Sequence, residues 1–170
     1  NEIIFENLNE INFFIFTCCL IFSLGIIDDK FNLKPQKKFL FLSLILGQFM
    51  YFDESVIVEI LKFSFLDNII YLKNYSHIFT IFCFLVFINA FNMFDGINLQ
   101  TSIYSLFILI YFFALSQNSM LISFLLIFLL FFIYLNHLNK SFLGDNGTLL
   151  ISFVLSIIFI KLFNKGRIIY

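Results

Sequence analysis

The chain has 170 residues, 61% of them hydrophobic and 12% charged, with a formal net charge of -1. Soluble domains carry about 45–50% apolar and about 25% charged residues, so this composition cannot furnish an aqueous surface. It offers no basic face for nucleic acid either.

Lipid is the solvent that accommodates such a sequence, and open strands cannot cross it. The expected fold class is therefore an all-α polytopic membrane protein. Apolar stretches at residues 11–27, 39–52, 78–94, 99–116, 120–138 and 148–163 predict about six transmembrane helices. Several are shorter than the ~20 residues that cross ~30 Å of hydrocarbon. The stretch at 39–52 is the weakest by length, with a buried or re-entrant helix as its alternative, and is retained because Lys37 and Lys38 flank one end, and Asp53 and Glu54 the other. Between the second and third stretches, Leu61, Phe63 and Phe65 alternate with Lys62 and Ser64, and Asp67-Asn68 precedes Ile69 to Leu72. Alternation interrupted by a turn dipeptide predicts a short external β-hairpin, with an interfacial helix as the alternative.

No repeat or flexible linker divides the chain, so residues 1–170 read as one membrane-embedded domain. Asn1 in place of an initiating Met, and a new segment opening at Tyr170, mark it as an expected internal fragment. Cys18, Cys19 and Cys83 lie in apolar runs without metal-ligand spacing and read as small buried hydrophobes.

Counting crossings places the acids. Asp28 and Asp29 follow the first stretch, Asp95 follows the third, and Asp145 precedes the sixth. Two crossings separate each group from the next, so all four carboxylates are expected on one side. Acids beside spans are costly and mark function or pairing. Lys30, Lys34, Lys37 and Lys38 cluster beside the first pair, which favours a cytoplasmic position for that side.

Three segments carry the chemistry: Leu24-Gly25-Ile26-Ile27-Asp28-Asp29-Lys30, Asn89-Ala90-Phe91-Asn92-Met93-Phe94-Asp95-Gly96, and Phe142-Leu143-Gly144-Asp145-Asn146-Gly147. In order, spacing and shared side they resemble the polyprenyl-phosphate glycosyl-1-phosphate transferases of glycosyltransferase family 4. That family includes the N-acetylglucosaminyl-1-phosphate and phospho-N-acetylmuramoyl-pentapeptide transferases of bacterial cell-wall and lipopolysaccharide synthesis.

The resemblance implies transfer of a sugar-1-phosphate, such as N-acetylhexosamine-1-phosphate, from a UDP-sugar to undecaprenyl phosphate with release of UMP. It also implies a bacterial inner-membrane location with a cytoplasmic active face, Mg²⁺ (or Mn²⁺) as cofactor, and a homodimer as an admissible assembly. Asp145 matches the metal-binding aspartate. Asp28 and Asp29 match the catalytic pair, which deprotonates or positions the acceptor phosphate or acts as nucleophile, and Asp95 is grouped with them. Asn92, Asn98 and Asn136 match polar substrate-site positions, Phe142 an aromatic that stacks on the base, and Lys30 and Lys38 phosphate-contacting residues.

Asn98 departs from the pattern, since many members have aspartate there. The family's first helices and its histidine-rich loop have no counterpart in the chain, and His77 and His137 read as interfacial residues instead. Two other classes remain as alternatives. An intramembrane aspartyl protease would need Gly-x-Gly-Asp, where this chain has Phe142 in the first position. A transporter bundle would distribute polar residues through its helices, whereas these are almost wholly Phe, Leu and Ile.

Overall fold

The structure, a computed structural model, describes residues 4–5, 7–62, 69–96, 99–116 and 119–168. It contains α1 (Leu8–Phe31), α2 (Pro35–Phe52), α3 (Ser76–Phe94), α4 (Gln100–Leu115), α5 (Met120–His137) and α6 (Gly144–Asn164). Four of these, α1, α3, α5 and α6, are long and apolar enough to cross a membrane. The chain is thus a helical membrane protein with, among the described residues, four helices of spanning character, where about six were expected. The 16 residues of α4 rise about 24 Å, and α2 opens on the polar run Pro35-Gln36-Lys37-Lys38.

Local chemistry sets the boundaries nearest the acids. α1 ends where Asn32 turns left-handed at φ 47, its N–H bonding the Asp28 carbonyl at 2.8 Å. Asparagine tolerates that conformation better than most residues. Three residues later Pro35, whose missing N–H is harmless in a first turn, starts α2. The Asp28-Asp29-Lys30 motif is therefore the last turn of α1, and Lys38 lies in the first turns of α2.

The external hairpin is present in short form. β1 (Ile60–Leu61) pairs antiparallel with β2 (Ile70–Tyr71) in the register Ile60 to Tyr71 and Leu61 to Ile70. Its expected turn, with Asp67 and Asn68, lies outside the described residues.

The centre of the bundle is α6. Of its apolar span 61% is buried, against 28%, 22% and 17% for the spans of α1, α3 and α5. Phe153 of α6 is fully enclosed, and its ring lies 6.3 Å from Phe14, 5.6 Å from Phe49 and 6.1 Å from Phe84. One aromatic thus joins α1, α2, α3 and α6. Thr148, Ser152 and Ser156 form a buried hydroxyl stripe on α6. Ser152 donates to Thr148 O and Ser156 to Ser152 O, each at 2.7 Å. Small residues whose hydroxyls bond back into their own helix let neighbours approach closely without an unpaired polar group in lipid. Between α3, α4 and α6 an apolar groove of about 870 Å³ remains, walled by Phe84, Phe107, Phe112 and Phe159 among others. Only hydrocarbon fills such a wall favourably.

Candidate active site

The C-terminal ends of α1, α3 and α5 and the N-terminal ends of α2, α4 and α6 meet at one end of the bundle, where their loops are cross-linked by polar contacts. At the centre is Lys38. Its Nζ lies 2.5 Å from Asp28 Oδ2 and 3.1 Å from Asp145 Oδ2, so one ammonium from α2 bridges carboxylates of α1 and α6. Burial alone would lower the Lys38 pKa, but the Asp28 and Asp145 carboxylates outweigh it and raise it above the ordinary 10.5.

The two adjacent aspartates of α1 have different surroundings. Asp28 is buried, and its second oxygen accepts from the Leu33 N–H at 3.0 Å, which ties the α1–α2 loop to the same carboxylate. Asp29 is exposed, and its Oδ1 accepts from the backbone N–H of Asp145 at 3.2 Å.

Asp145 lies in the first turn of α6, where the N-cap residue Leu143 offers no side-chain cap and Asp29 accepts from the Asp145 N–H, while the Asp145 carboxylate is turned toward Lys38. An acid in a first turn also gains from the helix dipole. Gly144 enters α6 at φ +64, a conformation glycine adopts without strain. The turn presses directly on α1, because a Cβ on Gly25 would overlap the backbone of Asn146.

Asn92 joins the cluster one turn further along α6, where its Oδ1 accepts from Thr148 Oγ1 at 2.5 Å. Asp95 is on the same end but outside the Lys38 cluster, and its Oδ1 accepts from Thr101 Oγ1 at 2.8 Å. Asn136 is buried and staples two loops, accepting from the Leu99 N–H at 3.1 Å and donating to Ser141 O at 2.6 Å. It compensates a strained position, since Leu99 sits at φ 69.

Two other expected residues stand apart from the cluster. Lys30 lies over the Phe31 ring, 5.5 Å from its centroid. Phe142 projects outward, 68% exposed. Asn98 lies outside the described residues.

Three contributors were not anticipated. Thr148 holds Asn92, Thr101 holds Asp95, and Gly25 admits the Asn146 backbone. Thr148 falls three positions after Asp145, the same-face spacing of a helix, and that was the available signal. Gly25 carried the weaker signal of a glycine inside a helical run.

A metal role can be weighed on the donor chemistry. Among the described residues no three His, Cys, Asp or Glu side chains group closely enough to form a cage. Mg²⁺ in phosphate chemistry needs only one or two carboxylates, with substrate phosphates and water completing its shell. Asp145, with 44% of its side chain exposed, and the adjoining Asp29 meet that requirement.

Comparison with curated proteins returned no match. The family profile described as Glycosyl transferase family 4 aligns with residues 11–163, a stretch that runs from α1 through all three acidic segments to the end of α6. The chain belongs to that family, the membrane transferases that move a sugar phosphate onto polyprenyl phosphate.

Proposed function

We propose that the protein transfers an N-acetylhexosamine-1-phosphate from a UDP-sugar to undecaprenyl phosphate, releasing UMP, at the cytoplasmic face of a bacterial inner membrane. The observation that supports this reading is the Lys38 bridge between Asp28 and Asp145. It gathers an ammonium and carboxylates from three helices at one end of an apolar bundle, where a lipid phosphate and a soluble nucleotide can both arrive.

In the reaction an acceptor phosphate oxygen attacks the sugar-bearing phosphorus of the donor. The bond from that phosphorus to the bridging oxygen breaks, and UMP leaves with the bond's electron pair. Both partners are anions, so repulsion is the first barrier, and fixed positive charge lowers it. Lys38 supplies that charge. Asp145, with Asp29 alongside, would hold Mg²⁺, which would supply further neutralisation of phosphate charge.

Asp28 holds Lys38 and the Leu33 loop in place. The exposed Asp29 is the group positioned to receive the acceptor's proton or orient its phosphate. Asn92, held by Thr148, faces the donor side, with Phe142 stacking on the uracil. Asp95 and Lys30 lie at the same end of the bundle, and the buried Asn136 holds the loops beside them.

The test is transfer of radiolabelled sugar phosphate to undecaprenyl phosphate in membranes holding the complete protein. Candidate UDP-sugars are compared and Mg²⁺ is titrated. Label appearing in lipid together with UMP supports the reading. Turnover unaffected when Lys38 and Asp145 are both neutralised overturns it.

A further inference from the structure

At the end of the bundle opposite the aspartates lies a second ion cluster that the proposed reaction does not use. Lys161 of α6 is 2% exposed, and its Nζ lies 2.8 Å from Asp53 Oδ2 and 2.9 Å from Glu10 Oε2. Asp53 closes α2 and is itself only 3% exposed, while Glu10 is in the first turn of α1. The Phe5 ring covers the ammonium, with its centroid 4.4 Å away. Asn164, one turn later, donates to Ser55 O at 2.8 Å and Ile57 O at 2.9 Å.

The arrangement repeats the candidate site with the roles of the helices exchanged. Lys38 of α2 bridges α1 and α6 at one end, and Lys161 of α6 bridges α1 and α2 at the other. The same three helices are thus pinned at both ends by a cation between two acids. Among the described residues, α2 and α6 have no pair of Cα atoms within 8 Å. They meet through side chains that span the gap, among them these ion pairs and the Phe49–Phe153 edge contact, while α1 and α3 pack against both.

Faces built of Leu, Ile and Phe specify rotation and sliding weakly, because one apolar contact substitutes for another at little cost. A buried ammonium between two carboxylates does not tolerate slippage, because each charge left unpaired in a low-dielectric interior is strongly unfavourable. Sixteen residues separate Lys161 from Asp145 on one helix, about 24 Å of a stiff rod.

We propose that Lys161 is a positioning residue: with Asp53 and Glu10 it sets the register of α6 against α1 and α2, and thereby the placement of Asp145 against Lys38 and Asp28. The claim rests on the functional reading of that site, so its test includes a readout independent of turnover. In the complete protein without native cysteines, spin labels at Ile27 on α1 and Leu150 on α6 report the separation of these helices near the site. The combined variant Lys161→Met, Asp53→Leu, Glu10→Gln replaces the ions with neutral groups of similar bulk, which spares the fold from isolated buried charge.

The expected result is a shift or broadening of at least about 3 Å, two rise steps of a helix, with kcat per folded molecule down roughly 10-fold and donor KM within about twofold. Lys161→Arg, which keeps the charge, restores more than half of kcat. An unchanged distance distribution overturns the proposal whatever the activity does, and so does a changed distribution with unchanged kcat. If the combined variant does not accumulate, Glu10→Gln alone, which preserves the Lys161–Asp53 pair, is expected to broaden the distribution and lower kcat about threefold. No change in either measurement overturns the proposal. A wild-type protein without transfer activity refutes the proposed function, while the distance measurement still decides whether the triad sets helix register.

Discussion

Asn146 occupies, with its backbone, the space that a Cβ on Gly25 would need. Three residues before the first acidic motif, a hydrogen side chain thus lets the turn carrying Asp145 seat directly on α1. Gly25→Ala is expected to push α6 away from α1 and destabilise the protein by about 1–3 kcal/mol, the usual cost of overpacking. Transfer activity should fall at least tenfold as Asp145 leaves Lys38. Gly47 is the control, because a Cβ there would meet only Ile81 Cδ1 at 4.0 Å. Gly47→Ala should be neutral or stabilise by a few tenths of a kcal/mol to about 1. Thermal unfolding in detergent and transfer assays on both variants make the comparison.

The orientation of Asp145 separates capping from charge. Asparagine caps a helix as well as aspartate does, so a capping role predicts that Asp145→Asn is silent. The carboxylate is instead bonded to Lys38, and the first-turn N–H of Asp145 is capped by Asp29. Asp145→Asn should therefore reduce kcat by about 100-fold, the scale of losing a charged stabilising contact in a transition state, while insertion and folding continue. In a Mg²⁺ titration its residual turnover should need more cation than wild type. Near-normal turnover at low Mg²⁺ would remove the metal role.

The lysine cluster beside Asp28 divides by geometry. Lys34 and Lys37 are exposed, whereas Lys38 is half-buried between its two acids. Lys38→Ala should cost far more turnover than Lys34→Ala, which is expected to stay within about twofold because an exposed charge contributes little. The raised pKa of Lys38 also fixes the sign of a pH effect. Its pairing stabilises the fold fully below the ordinary value of 10.5 and is lost as pH rises through the higher folded value. The stability gap between wild type and Lys38→Met should hold across neutral pH and close only in strong alkali. A gap that closes near pH 8 would contradict the assignment.

Much of this was legible from residue order. Apolar stretches bounded by acids and lysines gave the helices, and counting crossings brought Asp28, Asp29, Asp95 and Asp145 to one end. Contacts across the fold were not legible. Neither partner of the Lys38–Asp145 pair announces the other across 107 positions. The Lys161 triad was hidden for a related reason: Lys161, Asp53 and Glu10 read as ordinary flanking charges until the helices are packed. Phe-rich faces contain little positional information, so α4 and α2, the latter already the weakest stretch by length, were both counted as spans, although one is short and the other is diluted by its polar first turn.

The two neighbouring aspartates of α1 give the sharpest separation. Asp28 is enclosed and satisfied by Lys38 and the Leu33 N–H, while Asp29 is open to the site and, among the described residues, held by the Asp145 N–H. Asp28→Asn therefore removes one leg of a buried bridge and should lower thermal stability by about 3 kcal/mol, the cost of breaking a buried pair from one side. Its activity loss should track that instability and recover partly on cooling. Asp29→Asn should leave the melting temperature within about 2 °C, as substitutions at exposed sites usually do. Turnover should nevertheless fall by about 100-fold or more, the scale of removing a general base. Melting curves and transfer rates on both variants decide the matter. If Asp28→Asn melts normally and loses turnover while Asp29→Asn retains it, the buried aspartate is the reacting group and the roles are reversed.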